Sequence, residues 1–130
     1  MIIKNVYSQQ LYKGNAKNLA GLINQAMEKK VVLDEMDLQR TDLSDSKFKD
    51  YSFFWSNFEG ANLAGCIFNG INLSASYMDG ANCSCTTFIN CNMQDVDLQD
   101  IVYWHTDFVN VFIGKGRYIS QINVRREDLI

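Results

Sequence analysis

The stretch that decides the fold is residues 61–80, which read ANLAGCIFNGINLSASYMDG. Apolar side chains occupy every fifth place in it, at Leu63, Phe68, Leu73 and Met78. Neither a helix, with about 3.6 residues per turn, nor a strand, with a side-chain repeat of about two, produces this spacing. The stretch therefore predicts a backbone that bends once every five residues.

The five-residue period extends through residues 31–115. Steps of five from Leu33 to Ile113 meet an apolar residue at all seventeen places, which we call central positions. The position two residues earlier holds mostly small or β-branched residues. Two inward-facing positions in every five require a corner in every unit, which a sustained helix or strand does not provide.

The residues around each central position suit such corners. The position before it is Asp or Asn in nine of the seventeen units, and these side chains bond to nearby backbone groups in bends. Glycine, which suits tight bends, occurs four times at the position two residues after it. The nine residues are Asp37, Asp42, Asn57, Asn62, Asn72, Asn82, Asn92, Asp97 and Asp107, and the glycines are Gly60, Gly65, Gly70 and Gly80.

The segment Ala61-Asn62-Leu63-Ala64-Gly65 fits the consensus A-[D/N]-L-x-x, and Ile71-Asn72-Leu73 and Thr41-Asp42-Leu43 are near matches. Residues 31–115 thereby resemble the pentapeptide-repeat proteins. The resemblance implies an all-β solenoid, a right-handed quadrilateral β-helix of about four coils with an N-terminal helical cap. It also implies that each central residue and the residue two before it point inward.

Wrapping the sequence at twenty residues supports this coil on its own. One central column becomes Phe48, Phe68, Phe88 and Phe108, a ladder of aromatic rings that would stack in the core. Both ends of a solenoid need covering. We expect residues 1–30 to cap one end with a short strand at 2–7 and an amphipathic helix at 16–30, begun by Asn15 as N-cap. Residues 31–115 form the β-helix and residues 116–130 a strand-like extension.

Charge is distributed unevenly, although the net charge is only −3. Residues 1–30 carry five Lys against one Glu, whereas residues 31–113 carry twelve acidic residues against three basic ones. Such asymmetry bears on partners more than on fold. Some pentapeptide-repeat proteins are similar to duplex DNA in width and charge and occupy the DNA-binding site of type II topoisomerases, and the resemblance extends this possibility to the present chain.

The first functional hypothesis is a non-catalytic, acidic protein-binding module of bacterial or phage origin. It would mimic duplex DNA and inhibit or shield a DNA-handling protein, such as a type II topoisomerase or a defence nuclease. The alternative without a binding role is that the acidic residues serve only to form the bends and to keep the protein soluble. The candidate binding residues of the acidic face are Asp37, Glu59, Asp79, Asp97 and Asp100.

The second hypothesis is a structural or scaffolding protein that binds its partner through exposed aromatic side chains. Phe54, Trp55 and Trp104 occupy outward positions and are the candidates. The terminal segments of the chain would cover these side chains if they have no binding role. Trp104 lies near the last coil, which suits a homodimer formed through the C-terminal end.

The sequence contains no phosphate-binding loop, no dinucleotide-binding glycine pattern and only one histidine, His105. We therefore expect no enzyme activity, no cofactor, no metal site and no direct binding of nucleic acid. Nothing in it reads as an export signal or a membrane span, so we expect a cytoplasmic protein that does not enter membranes. The cysteines, which we expect to be reduced, are Cys66, Cys83, Cys85 and Cys91.

Overall fold

The computed structural model describes residues 1–122 and, among these, the side chains of all but Ile119, Gln121 and Ile122. The strand-like extension expected over residues 116–130 lies partly outside the described residues, which end at residue 122. In chain order the elements are β1 (Ile2–Lys4), β2 (Gln10–Lys13), α1 (Leu19–Glu28), β3 (Lys47–Lys49), β4 (Ile67–Asn69), β5 (Thr87–Ile89), β6 (Asp107–Gly114) and β7 (Arg117–Ile122).

Residues twenty apart in the sequence lie side by side. Strands β3, β4, β5 and β6 pair in parallel with this offset, so that Phe48 lies opposite Phe68 and Phe88 opposite Phe108. Isolated bridges repeat the offset elsewhere, from Asp37–Asn57 to Asn92–Phe112. Residues 33–112 thus form a β-helix solenoid. We call each run of twenty residues from Leu33 onward a layer, and each set of residues twenty apart a column.

The two inward positions of each unit form the core, as the period predicts. Central residues from Leu33 to Met93 are all buried, and the residues two before them are buried from Ala61 to Cys91. The phenylalanine column is continuous, with ring centroids 5.6 Å apart for Phe48 and Phe68 and 5.2 Å apart for each later pair. The last two pairs are stacked at interplanar angles of 10° and 18°.

Every unit bends through a residue in the left-handed region of backbone space. This residue, two after the central one, has φ between 51° and 72° in all seventeen units. Glycine occupies only four of these seventeen bend positions, so the number of glycines understates the number of left-handed bends. The remainder carry side chains, including bulky or non-polar ones that are rare at positive φ. They are Glu35, Arg40, Asp45, Asp50, Trp55, Ala75, Cys85, Asn90, Asp95, Asp100, His105, Asn110 and Lys115.

The Asp and Asn side chains before the central residues hold the bends. In eight of the nine cases Oδ1 accepts the backbone N–H two residues ahead, at 2.9–3.3 Å. The ninth, Asp107, lies in β6 instead. At Asp42 the Ser44 hydroxyl and backbone N–H both donate to the carboxylate, and these bonds lower the pKa of Asp42. The sequence-based explanation of these residues as bend formers is confirmed.

Small polar side chains on the inward positions are satisfied by the backbone of the preceding layer. The Thr86 hydroxyl donates to the Leu63 carbonyl at 2.7 Å, and Thr106 donates to the Cys83 carbonyl at 2.6 Å. The Cys91 thiol makes the equivalent bond to the Phe68 carbonyl. Among the described residues no buried side-chain nitrogen or oxygen lacks a hydrogen-bond partner. The core therefore avoids the free-energy cost of burying an unpaired polar group.

The N-terminal segment differs in detail from the expectation. The strand expected at 2–7 is shorter, ends at Lys4 and pairs antiparallel with β2, which the sequence analysis missed. Helix α1 starts later than expected because Asn18, not Asn15, is its N-cap and accepts the Gly21 N–H at 2.8 Å. The Asn24 side chain donates to the Lys47 carbonyl, so the helix lies beside the first strand of the solenoid sheet.

At the other end of the solenoid, strand β7 pairs antiparallel with β6. Leu98 and Tyr103, in the last layer, are partly exposed, whereas the central residues of the earlier layers in their columns are buried. The described part of the chain has no helix long and apolar enough to cross a membrane.

The phenylalanine column should carry much of the stability. We expect Phe68→Ala to lower the free energy of unfolding by about 3–5 kcal/mol, because it leaves a cavity between the rings of Phe48 and Phe88. Val109→Ala, at a position 43% exposed, should cost less than about 0.5 kcal/mol. Chemical denaturation measures both, and a cost below about 1 kcal/mol for Phe68→Ala would contradict the packing described here.

Backbone strain at the bends can be tested with two opposite changes. Gly80 has φ +69° and nothing within 4 Å of an added Cβ, so Gly80→Ala should destabilise by about 1 kcal/mol through backbone strain alone. Ala75 has φ 59°, so Ala75→Gly should stabilise by about 0.5 kcal/mol. Thermal or denaturant unfolding of the pair gives the signs, and equal signs would exclude left-handed strain as the cause.

Candidate functional site

All twelve acidic residues of the solenoid point outward. None of them is buried, and they range from half-buried to exposed. The layers share them unequally, since residues 33–52 carry six acids with three bases and residues 93–112 carry four acids with no base. Each of the two middle layers carries one acid, Glu59 or Asp79. Negative charge is therefore concentrated at the two ends of the solenoid.

The five candidate residues of the acidic face fall into two sets. Glu59, Asp79 and Asp100 line one shallow groove of about 320 Å³. Glu59 and Asp79 occupy the same column in adjacent layers, joined where the Gly60 N–H donates to the Asp79 carbonyl at 2.9 Å. Like charges so placed repel one another. The full lining of the groove is Gln39, Arg40, Glu59, Gly60, Asp79, Gly80 and Asp100.

Asp37 and Asp97 do not line this groove. They share another column, in which Asn57 and Tyr77 lie between them. Each also has a structural task, because its Oδ1 accepts the N–H of Gln39 or Gln99 at a bend. The acidic face is thus one groove with acids on adjacent layers, plus two flanking carboxylates held by bend hydrogen bonds.

The three aromatic candidates form two separate sites. Phe54 and Trp55 contact each other edge to face, with centroids 6.0 Å apart, and are 37% and 43% exposed. Trp104 is 66% exposed and packs edge to face on His105, with centroids 4.0 Å apart. Backbone pairing places Trp104 in the column of Ser84 and Trp55 in the column of Ala75. Phe54 and Trp55 therefore form one aromatic site, and Trp104 belongs to a separate one in another column, as expected from its place on a different face.

The four cysteines are free thiols, three buried and one exposed. Burial raises the pKa of the Cys66 and Cys91 thiols to about 11 and that of Cys83 to about 12. Cys85 is the exposed one and occupies a bend position with φ 56°. Among residues 1–122 no group of three or more His, Cys, Asp or Glu side chains is arranged to hold a metal ion.

Thiol reactivity should follow this burial. At pH 8 we expect Ellman's reagent to modify Cys85 rapidly in the native protein, and the other three thiols only after unfolding. Burial raises the pKa values of the buried thiols in the folded state, so ionisation of these thiols favours the unfolded chain. The stability contributed by the protonated thiols is therefore complete below the unfolded thiol pKa of about 8.5 and is lost as pH rises toward 11–12. Rapid modification of more than one native thiol would contradict the described core.

Comparison with known proteins identifies part of the repeat region. Residues 56–95 match the family model for pentapeptide repeats, in eight copies. Among solved structures, HetL, a pentapeptide repeat protein involved in heterocyst differentiation regulation from the cyanobacterium Nostoc sp. strain PCC 7120, is 18% identical. The match covers 64% of this chain and 43% of HetL, with a TM-score of 0.24, so the chain spans less than half of HetL.

Two further pentapeptide repeat proteins give similar values. One, from the Arabidopsis thaliana thylakoid lumen, is 18% identical over 71% of this chain and 70% of its own, with a TM-score of 0.23. The other, from Nostoc PCC 7120, is 17% identical over 81% of this chain and 93% of its own, with a TM-score of 0.25. No curated protein matches the chain.

Proposed function

We propose that this chain, whose residues 56–95 are pentapeptide repeats, is a non-catalytic protein-binding module. In this proposal its β-helix is right-handed and quadrilateral with about four coils, residues 1–30 cap one end and residues 116–130 extend the other. The observation that supports a binding role is the division of side chains. Packing residues fill the inside, while all twelve carboxylates of the solenoid are directed to solvent.

The partner we propose is a DNA-handling protein, such as a type II topoisomerase or a defence nuclease, whose basic DNA site the acidic groove would occupy. Glu59 and Asp79 present two carboxylates on adjacent layers, which lie about 4.8 Å apart along the axis. Such a surface attracts the lysines and arginines that otherwise contact phosphates. A basic partner would also relieve the repulsion between the two acids.

The last layer carries the largest net negative charge of the four layers. Residues 93–112 carry four acids and no base, whereas residues 33–52 carry six acids and three bases. Duplex DNA carries about three charges per 4.8 Å of axis, and the middle layers carry one each. A single chain is therefore short of the charge of DNA along its middle, and we propose a homodimer through the C-terminal end, where the exposed Trp104 lies in the last layer.

The second candidate function is a structural or scaffolding role through aromatic contacts. The exposure of Trp104, 66%, favours it, because a large apolar side chain left in solvent is a common anchor of protein interfaces. Ionic strength separates the two functions. Affinity should fall steeply with salt for the acidic surface and change little for an aromatic anchor.

A location in the cytoplasm is part of the proposal. The four free thiols, three of them in the core, suit a reducing compartment.

The test is a topoisomerase supercoiling assay with added protein and with the triple variant Asp79→Asn, Asp97→Asn, Asp100→Asn. The amide introduced by Asp97→Asn retains a side-chain oxygen for the Gln99 N–H, and Asn is well tolerated at the left-handed position of Asp100, so the variant removes charge with little strain. If the proposal holds, the native protein inhibits at micromolar concentration. The variant should then need about tenfold more protein or higher for half-inhibition.

The matched control is Asp42→Asn, Asp45→Asn, Asp50→Asn. It removes the same charge from one bend-capping position and two left-handed positions outside the groove lining. It should inhibit like the native protein. An equal loss of inhibition in both variants would show that inhibition depends only on the net charge of the protein. If the native protein does not inhibit, topoisomerase is excluded as the target.

A further inference from the structure

The pair Phe54 and Trp55 has a composition and geometry that differ from the rest of the surface. The two rings meet at 65° with centroids 6.0 Å apart, so they form two walls of an open corner rather than a flat stack. Both rings are more than a third exposed. In the next layer the same columns hold Ser74 and Ala75, whose short side chains leave room beside the indole.

Carboxylates lie directly beside this corner. The Asp34 Oδ1 accepts the Phe54 backbone N–H at 3.1 Å and the Ser52 hydroxyl at 2.6 Å, which fixes the carboxylate next to the aromatic pair. Glu35 shares the column of Trp55 in the preceding layer, joined by the bond from the Glu35 N–H to the Phe54 carbonyl at 2.8 Å. Asp34 and Glu35 therefore occupy, in the preceding layer, the columns of Phe54 and Trp55.

The fold itself gives no reason for an indole at this position. Trp55 has φ 57°, in the left-handed region where the other bends often use Gly, Asp or Asn. A bulky side chain there is strained and half-exposed, so the core does not require it. Strain that packing does not explain points to a binding role for the side chain.

We propose that this corner binds an arginine side chain of a partner protein. The guanidinium plane would lie on the Trp55 ring, where the negative face of the aromatic system attracts a cation, and its N–H groups would donate to the Glu35 carboxylate. Arginine fits better than lysine because its planar group both stacks and forms forked hydrogen bonds. The inference rests on the proposed function only in taking the partner to be a protein.

The experiment is a titration of the isotopically labelled full chain with the acetylated, amidated peptide Gly-Arg-Gly, followed by two-dimensional NMR of backbone and indole N–H groups. At millimolar peptide we expect shifts at Asp34, Glu35, Phe54 and Trp55, including the Trp55 indole. The Trp104 indole, in another column, is an internal reference and should not move. The same peptide with citrulline in place of arginine has nearly the same shape but no charge and should bind about threefold more weakly or worse.

Two variants localise the effect. Glu35→Gln removes the proposed carboxylate partner and should weaken binding by about threefold or more. Asp95→Asn removes one charge from the same column, two layers beyond Trp55, and serves as the matched control that should bind like the native chain. Trp55→Leu retains an apolar side chain at the bend and should abolish the shifts, with circular dichroism confirming that the variant is folded.

The proposal is wrong if the citrulline peptide binds as well as the arginine peptide, or if Glu35→Gln binds the arginine peptide like the native chain. It is also wrong if the Trp55 signals do not move at about 20 mM arginine peptide. These outcomes are independent of topoisomerase inhibition. A chain that binds the arginine peptide without inhibiting the enzyme would keep this inference and reject that target. A chain that inhibits without binding the peptide would do the reverse.

Discussion

The backbone bend repeated every five residues is the constraint on which the rest of the structure depends. It requires one residue with φ near +60° in each unit, and in eight units an Asp or Asn side chain that accepts the N–H two residues ahead. Once these bends are formed, residues twenty apart fall in parallel register and their backbone groups pair. The stacked phenylalanine column follows from that register, since a shift of a single residue would turn the rings away from the core.

The same constraint separates stability from surface function. Inward positions hold apolar side chains, or small hydroxyl and thiol groups bonded to the preceding layer, as Thr86 is to Leu63. Outward positions have no packing task, so their composition is open to selection for binding. The bend position is the exception, because it combines exposure with a strained backbone. An unsuited residue there, such as Trp55, therefore carries more information than an exposed residue elsewhere.

Acidic residues in this chain serve two purposes that cannot be distinguished from the amino-acid composition. Asp37, Asp42 and Asp97 accept backbone N–H groups at bends, so their presence has a structural explanation. Glu59 and Asp79 occupy neither that position nor the left-handed one, and they line the same groove from adjacent layers. Only the second kind of acid calls for an explanation outside the fold, and a basic partner supplies one.

The sequence by itself determined the solenoid, its inward columns and the role of Asp and Asn at the bends, because a five-residue period leaves few other backbones and local hydrogen bonds decide each corner. It did not fix the N-terminal segment, where Asn18 rather than Asn15 caps α1 and β2 completes a hairpin, since those choices depend on packing against the first layer. The sequence also placed Asp37, Glu59, Asp79, Asp97 and Asp100 on one acidic face. Only the tertiary structure decided that Glu59, Asp79 and Asp100 line a groove and that Asp37 and Asp97 do not. The physical reason is that neighbours in a solenoid are set by the register between layers, and two residues on one side of a coil still fall in different columns.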